Sequence, residues 1–173
     1  MRVILATSAL VATVLAAALG SYLYTYVTKP GIETAITIDA PPEAVWATLT
    51  DFEAYAQWNP FITSSAGTAT TGTRLRNTLD NNGSAMTFEP RITVAEPAQE
   101  LRWIGRFLAP GIVDGEHYFV LEALPGGQTR LVQGEQFRGA LVPLAGNSLD
   151  VRDGFDAMNR ALKERVEQQA ARS

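Results

Sequence analysis

Four segments in the middle of this chain alternate apolar and polar side chains with a period of two, and that alternation limits the fold more than any other feature. Leu75, Asn77 and Leu79 fall on one face, with Arg74, Arg76 and Asp80 on the other. Leu101, Trp103, Gly105 and Phe107 oppose Arg102, Ile104 and Arg106. His117, Phe119 and Leu121 oppose Glu116, Tyr118 and Glu122. Leu131, Gln133, Glu135 and Phe137 oppose Arg130, Val132, Gln136 and Arg138. Successive side chains of a strand point to opposite faces, so each segment reads as a strand with one dry and one wet face. That is the signature of an antiparallel sheet covered on one side. Turn signals separate the strands near Thr71-Gly72, Asn81-Asn82-Gly83, Glu96-Pro97-Ala98, Pro110-Gly111 and Pro125-Gly126-Gly127.

The covering layer is expected at the C-terminal end. Val151, Phe155, Met158, Leu162 and Val166 step by four, three, four and four, which puts them on one stripe of a helix over 150–172. Before the sheet segments, Ile32, Thr34, Ile36 and Ile38 form a first strand. Pro42 then opens a helix with Val45, Trp46 and Leu49 on its apolar face, since proline in a first turn sacrifices no hydrogen bond. Asp51 is expected to cap a second short helix carrying Phe52 and Tyr55, ended by Trp58-Asn59-Pro60-Phe61. The fold class is therefore α+β: about six to seven strands around a long C-terminal helix, with two short helices after the first strand.

A separate constraint lies at the N-terminus. Val3 to Val27 contains no charged residue. As a helix it would run about 37 Å, enough to cross a hydrocarbon core of ~30 Å with some tilt. Tyr22, Tyr24 and Tyr26 cluster where interfacial aromatics would lie. Two readings lead, with a buried helix of the domain itself as the third. One is an uncleaved single-pass anchor over 1–30 bearing a domain over 31–173. The other is a signal segment cut near Ala16-Ala17-Ala18, leaving a secreted or periplasmic domain. Arg2 and the amino terminus outweigh Lys29 and favour the N-terminus inside, with the domain outside the cytoplasm.

These stretches resemble the SRPBCC superfamily, the START-like or helix-grip fold, and its polyketide cyclase/dehydrase-type branch in particular. The resemblance is carried by IDAPPEAVWATLTDFEAYAQWNPFI (Ile38 to Ile62), ELRWIGRF (Glu100 to Phe107), GEHYFVLEAL (Gly115 to Leu124), TRLVQGEQFRG (Thr129 to Gly139) and FDAMNRALKERVE (Phe155 to Glu167). It implies a curved sheet gripping the last helix around a cavity for apolar molecules such as lipids, quinones or polyketides. It implies no universal catalytic residue, so fold and activity are argued separately. A membrane segment ahead of the domain departs from the soluble cyclases.

Composition narrows the chemistry. The chain has 173 residues, no cysteine and a net charge of −4, which excludes disulfides, thiolate metal sites and cysteine nucleophiles and offers nucleic acid no basic surface. No cofactor is expected. One histidine and one carboxylate fall short of the three protein ligands of a catalytic zinc, so no metal is expected either. Ser64, Ser65, Ser84 and Ser148 lack a histidine at a spacing that suggests a nucleophile.

The chemical candidates are His117 and Glu135. A three-residue turn at Pro125-Gly126-Gly127 sets position 117 opposite 135, both facing inward. Imidazole beside a carboxylate suits a general acid/base; it equally suits a paired buried group that orients a guest. The ligand-facing set is Trp58, Asn59, Phe61, Asn77, Trp103, Phe107, His117, Phe119, Gln133, Glu135, Phe137, Phe155, Met158 and Asn159. A dry core avoids unpaired polar groups, whereas a pocket uses a few to orient its guest. The apolar loop Leu108 to Val113 reads either as a cavity rim or as a tight turn packed on the helix end.

Three functions follow. The first is a membrane-tethered or exported carrier of a hydrophobic small molecule. The second is a cyclase/dehydratase-type lyase or isomerase using His117 and Glu135. The third is a protein-interaction module.

Overall fold

In the computed structural model, residues 2–81 and 83–172 are described, with side chains from residue 7 onward except at 81; Arg2 and Asn82 in the expectations above thus lie, as side chains, outside the described residues. The element order is α1 (Arg2–Thr28), β1 (Gly31–Ile38), α2 (Pro42–Thr50), a 3-10 turn (Phe52–Ala54), α3 (Tyr55–Trp58), β2 (Ile62–Ala66), β3 (Arg76–Asn81), β4 (Ser84–Phe88), β5 (Arg91–Glu96), β6 (Glu100–Phe107), β7 (Val113–Leu124), β8 (Gln128–Arg138), α4 (Val142–Ala145), a second 3-10 turn (Gly146–Leu149) and α5 (Arg152–Ala170).

The strands are all antiparallel and form two sheets, β1-β8-β7-β6-β5 and β2-β3-β4. Eight described strands thus replace the six or seven expected. The strands that the alternation does not single out are β2, β5 and β4, the last exposed along most of its length. The two sheets are continuous in their backbone bonding: Leu75 N–H donates to Pro90 O (3.0 Å) and Ile92 N–H to Thr73 O (2.9 Å). The result is one wrap that bends between β3 and β5, as a sheet closing on a helix must.

That helix is α5. Phe155, Met158, Leu162 and Val166 of its stripe are fully buried against Ile38, Leu101, Phe119 and Leu131 of the large sheet and Val45 and Leu49 of α2. Pro42 sits in the first turn of α2 as its chemistry requires. Asp51 does not behave as expected: it precedes the 3-10 turn without a side-chain cap. The short helix is held instead by Tyr55, whose hydroxyl donates to Leu49 O (2.7 Å) from a buried position that pushes the phenol's pKa up.

Of the outer-face arginines, Arg102 pairs with Glu100 and Glu116, and Arg130 with Glu122. Arg106 and Arg76 approach Asp114 and Glu89, each at 3.9 Å.

Polar contacts close the far end of α5 onto β1. Glu167 Oε1 accepts from Asp39 N–H (2.8 Å) and from Lys163 Nζ (2.6 Å), and Lys163 Nζ also donates to Thr37 O (2.8 Å). Lys163 first, then the Asp39 amide, lowers the Glu167 pKa. A carboxylate whose pKa is lowered on folding contributes stability above its unfolded pKa and loses it as pH falls through the folded one. Glu167→Gln is therefore expected to flatten the acid limb of stability below about pH 4.5, the ordinary value, with little change at pH 7 beyond the lost ion pair. Urea midpoints measured from pH 7 to pH 3 test this, and parallel acid limbs in the two proteins would refute it.

Candidate functional site

The end of the sheet where β6 and β8 finish and β7 begins is hollow. A cavity of about 610 Å³ lies there between that end, the β3–β4 hairpin and the segment leading into α5. Its walls include Phe61, Ile62, Leu79, Met86, Phe88, Trp103, Phe107, Val113, Phe137, Leu149 and Val151.

The hollow has a local cause. Gly105 and Gly115 pair directly across β6 and β7 on the inward face, and both line the cavity. Two missing side chains at one level of a sheet leave a depression that larger residues at those positions would fill. A Cβ at Gly115 would collide with the Glu135 carboxylate. This glycine therefore makes the space into which Glu135 folds.

The β7–β8 register sets His117 against Glu135, and Nδ1 lies 3.5 Å from Glu135 Oε2. The other ring nitrogen, Nε2, is 3.2 Å from the Gln133 amide nitrogen. An amide NH₂ only donates, so in this arrangement Nε2 accepts and the proton sits on Nδ1, directed at Glu135. The ring faces are covered too. Trp103 stacks on the imidazole at 4.7 Å between centroids with 5° between planes, and Phe155 meets it edge-on at 4.9 Å. His117 is thus enclosed: both nitrogens have partners, Trp103 covers one face, and the Phe155 and Phe119 ring centroids lie 4.9 and 4.8 Å from its own. Glu135 is the group of the pair that presents its oxygens to the cavity, with its side chain 21 % exposed against 5 % for His117.

Six of the fourteen expected ligand-facing residues line the cavity: Phe61, Trp103, Phe107, His117, Glu135 and Phe137. The other eight stand behind its wall or away from it. Phe119, Phe155 and Met158 are core, and Gln133 backs His117 with its amide 3.6 Å from Met158 Sδ. Trp58 packs edge-on against Tyr55. Asn59 Oδ1 accepts the Phe61 and Ile62 amides (3.0 and 2.9 Å), shaping the entry into β2. Asn77 accepts from Ser65 Oγ at 2.6 Å, and Asn159 donates to Thr34 Oγ1 at 2.9 Å. These asparagines serve backbone turns and element contacts rather than the cavity.

Sequence reasoning missed Met86, Phe88, Leu149 and Gly115. Of these, Gly115 carried a usable signal: it shares strand parity with His117. Ser84 and Ser148, set aside as nucleophiles, also line the cavity. Among the described residues no three His, Asp or Glu side chains are grouped as a metal site.

Residues 29–172 match the family model described as polyketide cyclase/dehydrase and lipid transport. No curated protein matches the chain. Among solved structures, it is similar to the Zhui aromatase/cyclase from Streptomyces sp. R1128, with a TM-score of 0.66, 20 % identity, and 82 % of this chain and 95 % of that one covered. A START superfamily protein from Mycobacterium smegmatis matches with a TM-score of 0.61 and 22 % identity over 80 % of this chain and 98 % of that one. Ara h 8.0201 matches with a TM-score of 0.63 and 18 % identity over 80 % and 98 %. At these identities the likeness establishes a shared fold.

His117 is the chain's single histidine, so its imidazole nitrogens give unambiguous NMR signals. The wild-type spectrum is expected to show the Nδ1–H tautomer. Gly115→Ala is expected to perturb both nitrogens by displacing Glu135, with only a small loss of stability because a flexible carboxylate end can move. An unchanged imidazole spectrum in that variant would count against the arrangement. His117→Ala is expected to cost about 1–3 kcal/mol or more, since it leaves Gln133 and Glu135 without their shared partner, as read from denaturant midpoints.

Proposed function

The chain belongs to the polyketide cyclase/dehydrase and lipid-transport family, and from that premise we propose that it binds and carries a hydrophobic small molecule, tethered to a membrane by α1. The cavity is the observation that carries this reading. Its volume of about 610 Å³ falls in the 300–1,000 Å³ range of small-molecule sites. An interaction module with a vestigial interior would have a filled one.

Glu135 lends the apolar space one polar feature. A carboxylate accepts hydrogen bonds and cannot donate them when ionised. The preferred guest is therefore lipid-, quinol- or polyketide-like, with an apolar body and a hydroxyl donor directed at Glu135. His117 holds that carboxylate in place from behind.

The pair also supports a second reading, a cyclase or dehydratase in which Glu135 and His117 move protons on a bound substrate. The enclosure of His117 favours the carrier. A general acid/base must reach its substrate, and neither imidazole nitrogen is free to do so.

The helix Thr7–Thr28 is long and apolar enough to span a bilayer, and only 6 % of it is buried against the domain. A helix apolar all round and almost uncovered by protein over 7–20 suits lipid. The tether reading takes it as an uncleaved anchor with the domain outside the cytoplasm. An intact mass of the full chain in the membrane fraction would support it, and a mature chain beginning after Ala18 would refute it.

Native mass spectrometry of the detergent-extracted protein is expected to show a co-purified apolar molecule. Gly105→Leu should abolish that species while the protein stays folded, because a Cβ there meets Phe88 at an ordinary 3.8 Å and the remaining side chain takes up cavity space. Glu135→Gln should weaken binding of hydroxyl-bearing guests. Turnover of a polyketide-like substrate that His117→Ala abolishes while binding survives would establish the enzyme instead.

A further inference from the structure

Four exposed apolar side chains crowd the loops at the cavity end. Phe107 is 59 % exposed, Leu108 77 %, Leu141 42 % and Leu144 81 %. They sit on the β6–β7 loop and on the segment after β8, whose backbones are joined by Ala140 N–H to Gly111 O (2.9 Å) and Leu141 N–H to Ile112 O (3.0 Å). The same loops border the cavity, since Phe107, Val113, Phe137, Ser148 and Leu149 all line it.

The last turns of α1 are fastened to these loops. Ser21 Oγ donates to Ala140 O at 2.7 Å. Thr25 is fully buried, and its Oγ1 accepts from Gly139 N–H at 3.0 Å while donating to Tyr22 O at 2.9 Å. The Tyr22 ring lies against Gly111, where an added Cβ would sit 3.6 Å from it. The Arg138 guanidinium lies 5.5 Å from the centre of the Tyr26 ring. No loose linker follows: Phe137 N–H donates to Pro30 O at 2.8 Å, and β1 is paired from Gly31.

These contacts fix where the loops stand relative to a bilayer. Among the described residues, side-chain hydrogen bonds from α1 reach the domain at Ser21 and Thr25. From Val3 to Gly20 the helix rises about 27 Å, close to the ~30 Å hydrocarbon thickness. The docked part of α1 therefore begins where hydrocarbon ends, at the level of Tyr22, Tyr24 and Tyr26.

We propose that the loops carrying Phe107, Leu108, Leu141 and Leu144 are seated in the interface of the membrane that α1 spans, so that the cavity takes its guest directly from the lipid phase. The occupant of this apolar face is the bilayer, because α1 holds the face at interfacial depth. The inference rests on the tether reading above. It deepens the ligand assignment: the guest is a bilayer-resident molecule, not one that arrives through water.

The chain has no cysteine, so single cysteines can be introduced and labelled with an environment-sensitive fluorophore in the full protein in lipid vesicles. Leu108→Cys and Leu144→Cys report on the loops, Leu15→Cys on the anchor, and Ala123→Cys on the opposite end of the sheet. The expected result is blue-shifted emission at 108 and 144, quenched more strongly by a shallow lipid nitroxide than by a deep one, as suits side chains about 5–10 Å into the headgroup boundary. Leu15 should be quenched by the deep nitroxide and Ala123 by neither. Quenching at 15 with water-like emission at 108 and 144 overturns the docking and leaves the tether standing. Blue-shifted emission at 108 and 144 without lipid quenching assigns the face to a second copy or another protein and also overturns it. Loss of quenching at 15 overturns the tether and the docking together.

Discussion

The antiparallel pairing of β7 with β8 is the constraint from which the site follows. Eleven residue pairs run in register from Asp114↔Arg138 to Leu124↔Gln128, closed by the Pro125-Gly126-Gly127 turn. Side-chain direction alternates with every residue, so a slip of one would pair His117 with Gly134 and turn it to the outer face, away from Glu135. Register alone thus brings His117 and Glu135 together. It also sets Phe119 opposite Gln133 and Leu121 opposite Leu131 deeper in the sheet, which become the wall and core behind the pair. On the other side, β6 places Trp103 beside His117 and Gly105 beside Gly115. One wall of the cavity is therefore written in three strands.

What keeps the interior from closing is a gradient along those strands. Toward the β7–β8 turn, Leu101, Phe119, Leu121 and Leu131 meet the buried stripe of α5 and leave no space. Toward the other end, two glycines face inward, and α5 has not begun; Val151 precedes its first residue. Close packing is the default for protein interiors. An opening of this size needs both the missing side chains of the sheet and a helix that starts late.

That gradient explains what was legible in the sequence. Alternation reports which face a residue occupies, and the inward assignments of Leu75, Asn77, Leu101, Trp103, His117, Phe119, Leu131, Gln133 and Phe137 match their burial. Alternation does not report depth along a strand. Phe119 and Gln133 share a face with Glu135, yet they lie behind the cavity. The helical stripe has the same blind spot, since Phe155 and Met158 point inward but meet packed sheet. Strand β4 was obscured for a different reason. It is exposed along most of its length, so its pattern does not announce that Met86 and Phe88 form the cavity's far wall. Asp51 shows that a good capping residue at a helix start has no bond to make when the chain enters through a 3-10 turn.

The N-terminal helix joins these two levels of organisation. Its apolar run is legible as a length, and that length alone would permit a domain swinging on a tether. The buried Thr25 changes the geometry. Its hydroxyl is the acceptor for the Gly139 amide, a buried backbone donor that would be costly to leave unpaired. Undocking α1 would expose that donor only by also parting Ser21 from Ala140 and Tyr22 from Gly111. Because β8 ends where α1 docks, the strand that carries Glu135 and Phe137 is physically continuous with the helix contact. The position of the cavity's polar corner relative to α1 is consequently set by a short stretch of bonded backbone, not by a flexible connection.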